Sequence, residues 1–142
     1  MWLAAMKKSP SKKKPRKVEQ GTHTAIATYI RLTYPSVIFT SDSSGLRLPQ
    51  GLRNVVVAQR SKGKIPDMII LQPQDKYHGL ILEIKSEESS PFSKKDGKLL
   101  MNKHVVEQAE TLRRLRSVGY KAEFAVGFDG AKRIIDQYMY LK

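Results

Sequence analysis

The stretch PDMIILQPQDKYHGLILEIK, residues 66–85, decides how this chain folds. Asp67 to Leu71 is an apolar run rich in β-branched residues, and Gly79 to Lys85 is apolar until Glu83 and Lys85 interrupt it. Runs of this length bounded by Pro and Gly read as strands, and nearly continuous apolar strands are buried on both faces. Side chains alternate along a strand, so Glu83 and Lys85 share one face while Leu82 and Ile84 point into the core on the other. If the polar segment Gln72 to His78 closes a symmetric hairpin, positions whose numbers add to the same total face each other, and Asp67 stands opposite Glu83. Directly opposed Cβ atoms lie about 5 Å apart.

Two like charges at that separation in a half-buried place repel unless something positive sits between them. A divalent cation answers the need. Carboxylate oxygens are hard ligands suited to Mg²⁺ or Mn²⁺, which keep several waters and take one or two protein carboxylates plus substrate phosphate. Read one at a time, these residues are ordinary: Asp67 caps a turn after Pro66, and Glu83 and Lys85 pair on an edge strand. Read together with the hairpin register, they outline a site for cutting phosphodiesters.

At 142 residues the chain has room for one domain and one site. Its net charge of +13 points to a polyanionic partner, with nucleic acid ahead of an anionic membrane surface. The lack of cysteine removes disulfides, thiolate zinc sites and cysteine nucleophiles. No apolar run approaches the ~20 residues of a membrane span, and Met1 to Met6 is too short for a signal-peptide core. The expectation is a soluble protein of the cytoplasm, in a bacterial or phage-infected cell, without membrane contact. A nuclear address also fits the basic N-terminus.

That N-terminus, residues 1–17, includes KKSPSKKKPRK and reads as a disordered basic arm, a phosphate-binding tail, nuclear signal or solubilising terminus; residues 18–142 form the folded domain. Val18 to Thr33 has helical spacing and stops before Pro35. On it Glu19, His23, Ile26 and Ile30 share one stripe, so Glu19 either reaches the site or complements the helix dipole. His23 reads as a satisfied histidine rather than a ligand. Val37 to Thr40 and Asn54 to Gln59 read as strands, with a polar loop from Ser41 to Gly51 between them. Arg60, Lys62 and Lys64 form a basic turn just before Pro66, placed for phosphate contact. Ser86 to Met101 reads as a polar, substrate-touching loop carrying Lys94, Lys95 and Lys98. Asn102 caps a helix to Val118 that puts Gln108 on its apolar face; Tyr120 to Val126 is a strand and Ala131 to Tyr140 a closing helix.

Gly63-x-x-Pro66-Asp67, then Glu83-Ile84-Lys85, then Gln108, with Glu19 on the first helix, resembles the PD-(D/E)xK nuclease superfamily. Within it the pattern is similar to the virus-type replication-repair nucleases, the VRR-NUC family, over about residues 18 to 127. The resemblance implies an α/β fold with a restriction-endonuclease-like core, a mixed central β-sheet flanked by helices. It implies that Asp67, Glu83, the Ile84 carbonyl and Glu19 hold Mg²⁺ or Mn²⁺, that Lys85 positions or activates water, and that Gln108 completes the catalytic set. It further implies a homodimeric endonuclease acting on branched, Holliday-junction-like DNA, in the setting of phage or DNA repair. The long loop after Lys85 and the basic arm depart from the pattern. A non-catalytic basic nucleic-acid-binding protein is the alternative, its acids serving as plain salt bridges.

Overall fold

A computed structural model describes residues 15–42 and 47–142, the first six of these through their backbone alone. Four helices and four strands follow in order: α1 Pro15–Thr33, β1 Phe39–Ser41, α2 Gln50–Ala58, β2 Met68–Ile70, β3 Leu80–Lys85, α3 Lys103–Ser117, β4 Lys121–Val126 and α4 Gly127–Met139. The sheet order is β1-β2-β3-β4; the first two pairings are antiparallel and the last is parallel, with α3 as the crossover. This is the mixed sheet flanked by helices that the sequence implied.

Every residue of β3 is buried, as its apolar run required. Leu80, Leu82 and Ile84 face one core with Ile26 and Ile30 of α1 and Ile135 and Tyr138 of α4. Ile81 faces a smaller core with Leu112 of α3 and Ala122 of β4. Glu83 and Lys85 share the parity of Ile81 and therefore the side covered by α3. Burying each large aliphatic side chain is worth ~1.5–3 kcal/mol, so the apolar residues of β3 offset part of the cost of hiding its polar neighbours. α1 is tied to α4 by Tyr34, whose hydroxyl donates to Asp136 Oδ1 at 2.7 Å, with Tyr29 donating to the same oxygen.

Three expectations are corrected. Asn54 to Ala58 lies in helix α2 with Gln59 as its C-cap, and the segment is not a strand. Its valines favour strands only where a pleated, half-buried surface receives them, and no residue of α2 is buried. Local bonds decide instead: Gln50 donates to Asn54 at 2.8 Å one turn on, and the Gln59 N–H closes the last turn on Val55 and Val56. The first helix begins at Pro15 rather than Val18, since a proline in the first turn has no N–H to lose. Residues 15–17 of the expected arm are thus helical; residues 1–14 lie outside the described residues. The last helix begins at Gly127, not Ala131, because Gly127 at φ +68° lets β4 turn straight into it. Among the described residues no helix is long and apolar enough to cross a membrane.

Candidate active site

Buried Pro66 leads the chain into β2, and Asp67 is the residue just before that strand. The register pairs Met68 with Leu82. Continued by one residue it sets Asp67 across from Glu83, the juxtaposition the hairpin arithmetic required. Asp67 Oδ2 accepts the Ile84 N–H at 2.7 Å, so its carboxylate is fixed against the backbone between Glu83 and Lys85. The Asp67 carbonyl accepts the Asp42 N–H at 2.7 Å, which continues the β1–β2 pairing and brings a further acid to the same end of the sheet.

Glu83 is 5 % exposed and Lys85 8 %. An acid and a base this deeply covered, two residues apart on one strand face, are placed at a cost that ordinary folding does not require. From α3, Gln108 Nε2 donates to Glu83 Oε1 at 2.8 Å. The other end of that amide, Gln108 Oε1, is buried and has no hydrogen-bond partner among the described residues. Burial first, then the charge and hydrogen bonding of Asp67 and the charge of Asp42, together push the Glu83 carboxyl up to about 9 against the opposing charge of Lys85.

Asp67, Glu83, Ile84, Lys85 and Gln108 line one cleft of about 970 Å³, and Arg60 and Lys64 lie along it. Arg60 spends one guanidinium nitrogen on Asp42, Nη1 to Oδ2 at 3.3 Å. Lys62 falls instead in an adjoining groove between the basic turn and α3. Lys94, Lys95 and Lys98 are exposed on the segment before α3 and do not line the cleft. Glu19 is on α1, one turn before His23, and its side chain lies outside the described residues.

Two residues reach the site that sequence reasoning did not place there. His23 Nε2 is 4.0 Å from Asp67 Oδ2, too far for a hydrogen bond, and is itself buried without a partner among the described residues. The signal for it was its place on the stripe with Ile26 and Ile30. Asp42 was read as loop, and only the β1–β2 register, with Ser41 against Met68, reveals its neighbour.

Among the described residues no three His, Asp or Glu side chains gather as a complete ligand set. Mg²⁺ does not demand one, since it keeps waters and is held through one or two carboxylates. Asp67 and Glu83 are hard oxygen donors, and the unpartnered Gln108 carbonyl oxygen beside them is a third oxygen awaiting a donor or cation. The residues present fit such an ion.

No protein-family model matches the chain, and no curated protein is similar to it in sequence. Among solved structures, one described as a VRR_NUC domain protein superposes with a TM-score of 0.55 at 21 % identity, over 87 % of this chain and 89 % of that one. The fold is VRR_NUC-like. At that identity the likeness speaks for the arrangement of helices and strands, and the chemistry must be argued from the cleft itself.

Proposed function

We propose that this chain is a metal-dependent nuclease that hydrolyses DNA phosphodiesters, with selectivity for branched DNA and a homodimer as its working form. The observation that carries the reading is the buried Glu83, held by Gln108, facing Asp67 and followed by Lys85, at the floor of a cleft flanked by Arg60 and Lys64. The VRR_NUC-like fold supports it.

Asp67 and Glu83, joined by the Ile84 carbonyl and Glu19, would hold Mg²⁺ or Mn²⁺. Such an ion polarises a phosphoryl oxygen and lowers the pKa of a bound water. The chain's own groups do the rest. Gln108 fixes the Glu83 carboxylate, and the Ile84 N–H fixes that of Asp67, so neither must reorganise when substrate arrives. Lys85, on the same strand face as Glu83, supplies a cation where negative charge grows on the phosphoryl group. Arg60, Lys62 and Lys64 contact phosphates along the approach, with Lys94, Lys95 and Lys98 contributing from the loop. Such contacts set affinity; the carboxylates set the chemistry.

Cleavage of end-labelled four-way-junction, flap, nicked and plain duplex DNA in Mg²⁺ or Mn²⁺ tests this reading. Metal-dependent cutting with junctions preferred is the expected result, and tight binding without cutting of any substrate favours the non-catalytic binding protein. The basic arm gives a separate expectation. Removing residues 1–14, which precede α1, is expected to lower DNA affinity and flatten its dependence on salt, because released counterions scale with phosphate contacts at roughly 0.9 per contact. Filter binding between 50 and 200 mM salt, a range over which such contacts matter, reads this directly. An unchanged slope would remove the arm from the interface.

A further inference from the structure

Between β3 and α3 the chain doubles back on itself. Ser93 N–H donates to the Lys98 carbonyl and Leu100 N–H to the Pro91 carbonyl, both at 2.7 Å, and Phe92 and Leu99 form an antiparallel bridge. The result is a small β-hairpin where the sequence suggested only a polar loop. Its tip is preset: Gly97 takes φ +69°, and Asp96 Oδ1 accepts the Lys98 N–H at 3.0 Å. Its stem is anchored. Pro91 is fully buried, and the Phe92 ring meets that of Phe124 edge to face at 6.1 Å. Phe124 is the β4 residue paired with Glu83, so the hairpin is fastened one strand away from the candidate acid.

What this anchored stem presents is unusual for a water-facing surface. Met101, the residue after the hairpin, is 81 % exposed, and Leu100 beside it is also exposed. Lys94, Lys95 and Lys98 surround the tip and make no ion pair among the described residues. A bare apolar patch would suit a protein partner, but three lysines around the single acid Asp96 beside it favour a polyanion. Side chains such as Met and Leu, presented next to cations, enter and unstack base steps in bent or opened nucleic acid.

We infer that the hairpin of residues 91–100 together with Met101 is a wedge that enters the branch point of a DNA substrate, Met101 unstacking a base step while the lysines hold the phosphates around it. This rests on the nuclease reading and accounts for its selectivity: a plain duplex must be opened to admit Met101, whereas a junction or flap is already weakened there.

The test uses full-length protein and a four-way junction carrying 2-aminopurine at the branch, first in EDTA so that nothing is cut. Wild type is expected to raise the fluorescence severalfold. Met101→Ala should lose most of that rise with affinity within about threefold, since phosphate contacts supply binding, and Met101→Leu should restore it. Replacing Lys94, Lys95 and Lys98 with Ala should weaken every DNA alike and lower the salt slope by about 3. With Mg²⁺ added, Met101→Ala should cut junctions about tenfold more slowly while its low rate on plain duplex is unchanged. Unstacking and junction cutting by Met101→Ala at the wild-type level would overturn the wedge. The two readings fail separately: unstacking by a wild-type protein that cuts nothing supports the wedge and removes the nuclease, whereas junction cutting without unstacking removes the wedge alone.

Discussion

Asp67→Ala is expected to lower the proposed DNA cleavage by at least ~10³-fold while DNA affinity stays within about threefold of wild type. Asp67 faces Glu83 across the β2–β3 pair and is held there by the Ile84 N–H at 2.7 Å. Removing its carboxylate takes away one of the two acids that would hold the cation, and with it the charge stabilisation that the transition state requires. On the proposed reading affinity is insulated, because it would rest on Arg and Lys contacts to phosphate, none of which passes through Asp67. Single-turnover cleavage beside equilibrium binding separates the two effects. A fall in both by the same factor would instead mean a folding defect, which a thermal melt of the variant detects.

Glu83→Gln is expected to raise the melting temperature of the metal-free protein at pH 8 and to lack the stabilisation that the proposed site would draw from Mg²⁺ or Mn²⁺ in wild type. Glu83 has a folded-state pKa of about 9 against 4.5 for the free side chain, through burial first and the Asp67 charge second. Between those values the folded state binds the proton that the unfolded state has released. The stability that the proton confers is therefore complete below pH 4.5 and is lost as pH rises toward 9. Glutamine copies the protonated acid, accepting from Gln108 Nε2 without the charge, so the melting-temperature gap between variant and wild type widens from pH 5 to pH 8. A gain of about 1 kcal/mol corresponds to roughly 4 °C in a domain of this size. With metal present the order reverses, because only the carboxylate gains from the cation. A gap that does not change with pH would contradict the burial of an uncompensated charge.

The parts of this site legible in the sequence are those fixed by local periodicity. Alternation along β3 put Glu83 and Lys85 on one face, symmetric closure of the hairpin put Asp67 opposite, and the helical stripe of α3 turned Gln108 inward; each follows from spacing within one element or one hairpin. His23 and Asp42 were not legible, because their approach depends on how α1 docks and how β1 registers on β2. α2 was misread because valines carry a strand preference that only a receiving sheet edge can realise, and none receives Asn54 to Gln59. The hairpin before α3 escaped notice because its stem is held by Phe92 against Phe124, a contact made across more than thirty residues of chain.

The measurement that bears most directly on the central claim is cleavage of a labelled junction by wild type and by Lys85→Ala, each in Mg²⁺, in Mn²⁺ and in EDTA. Lys85 is 8 % exposed and two residues from Glu83, with no surface role to lose. Wild type is expected to cut in either metal and not in EDTA, and Lys85→Ala to bind the junction normally and cut at least ~10²-fold more slowly. Cutting in EDTA, or equal cutting by Lys85→Ala, would contradict the assignment of this cleft as a metal-dependent nuclease site.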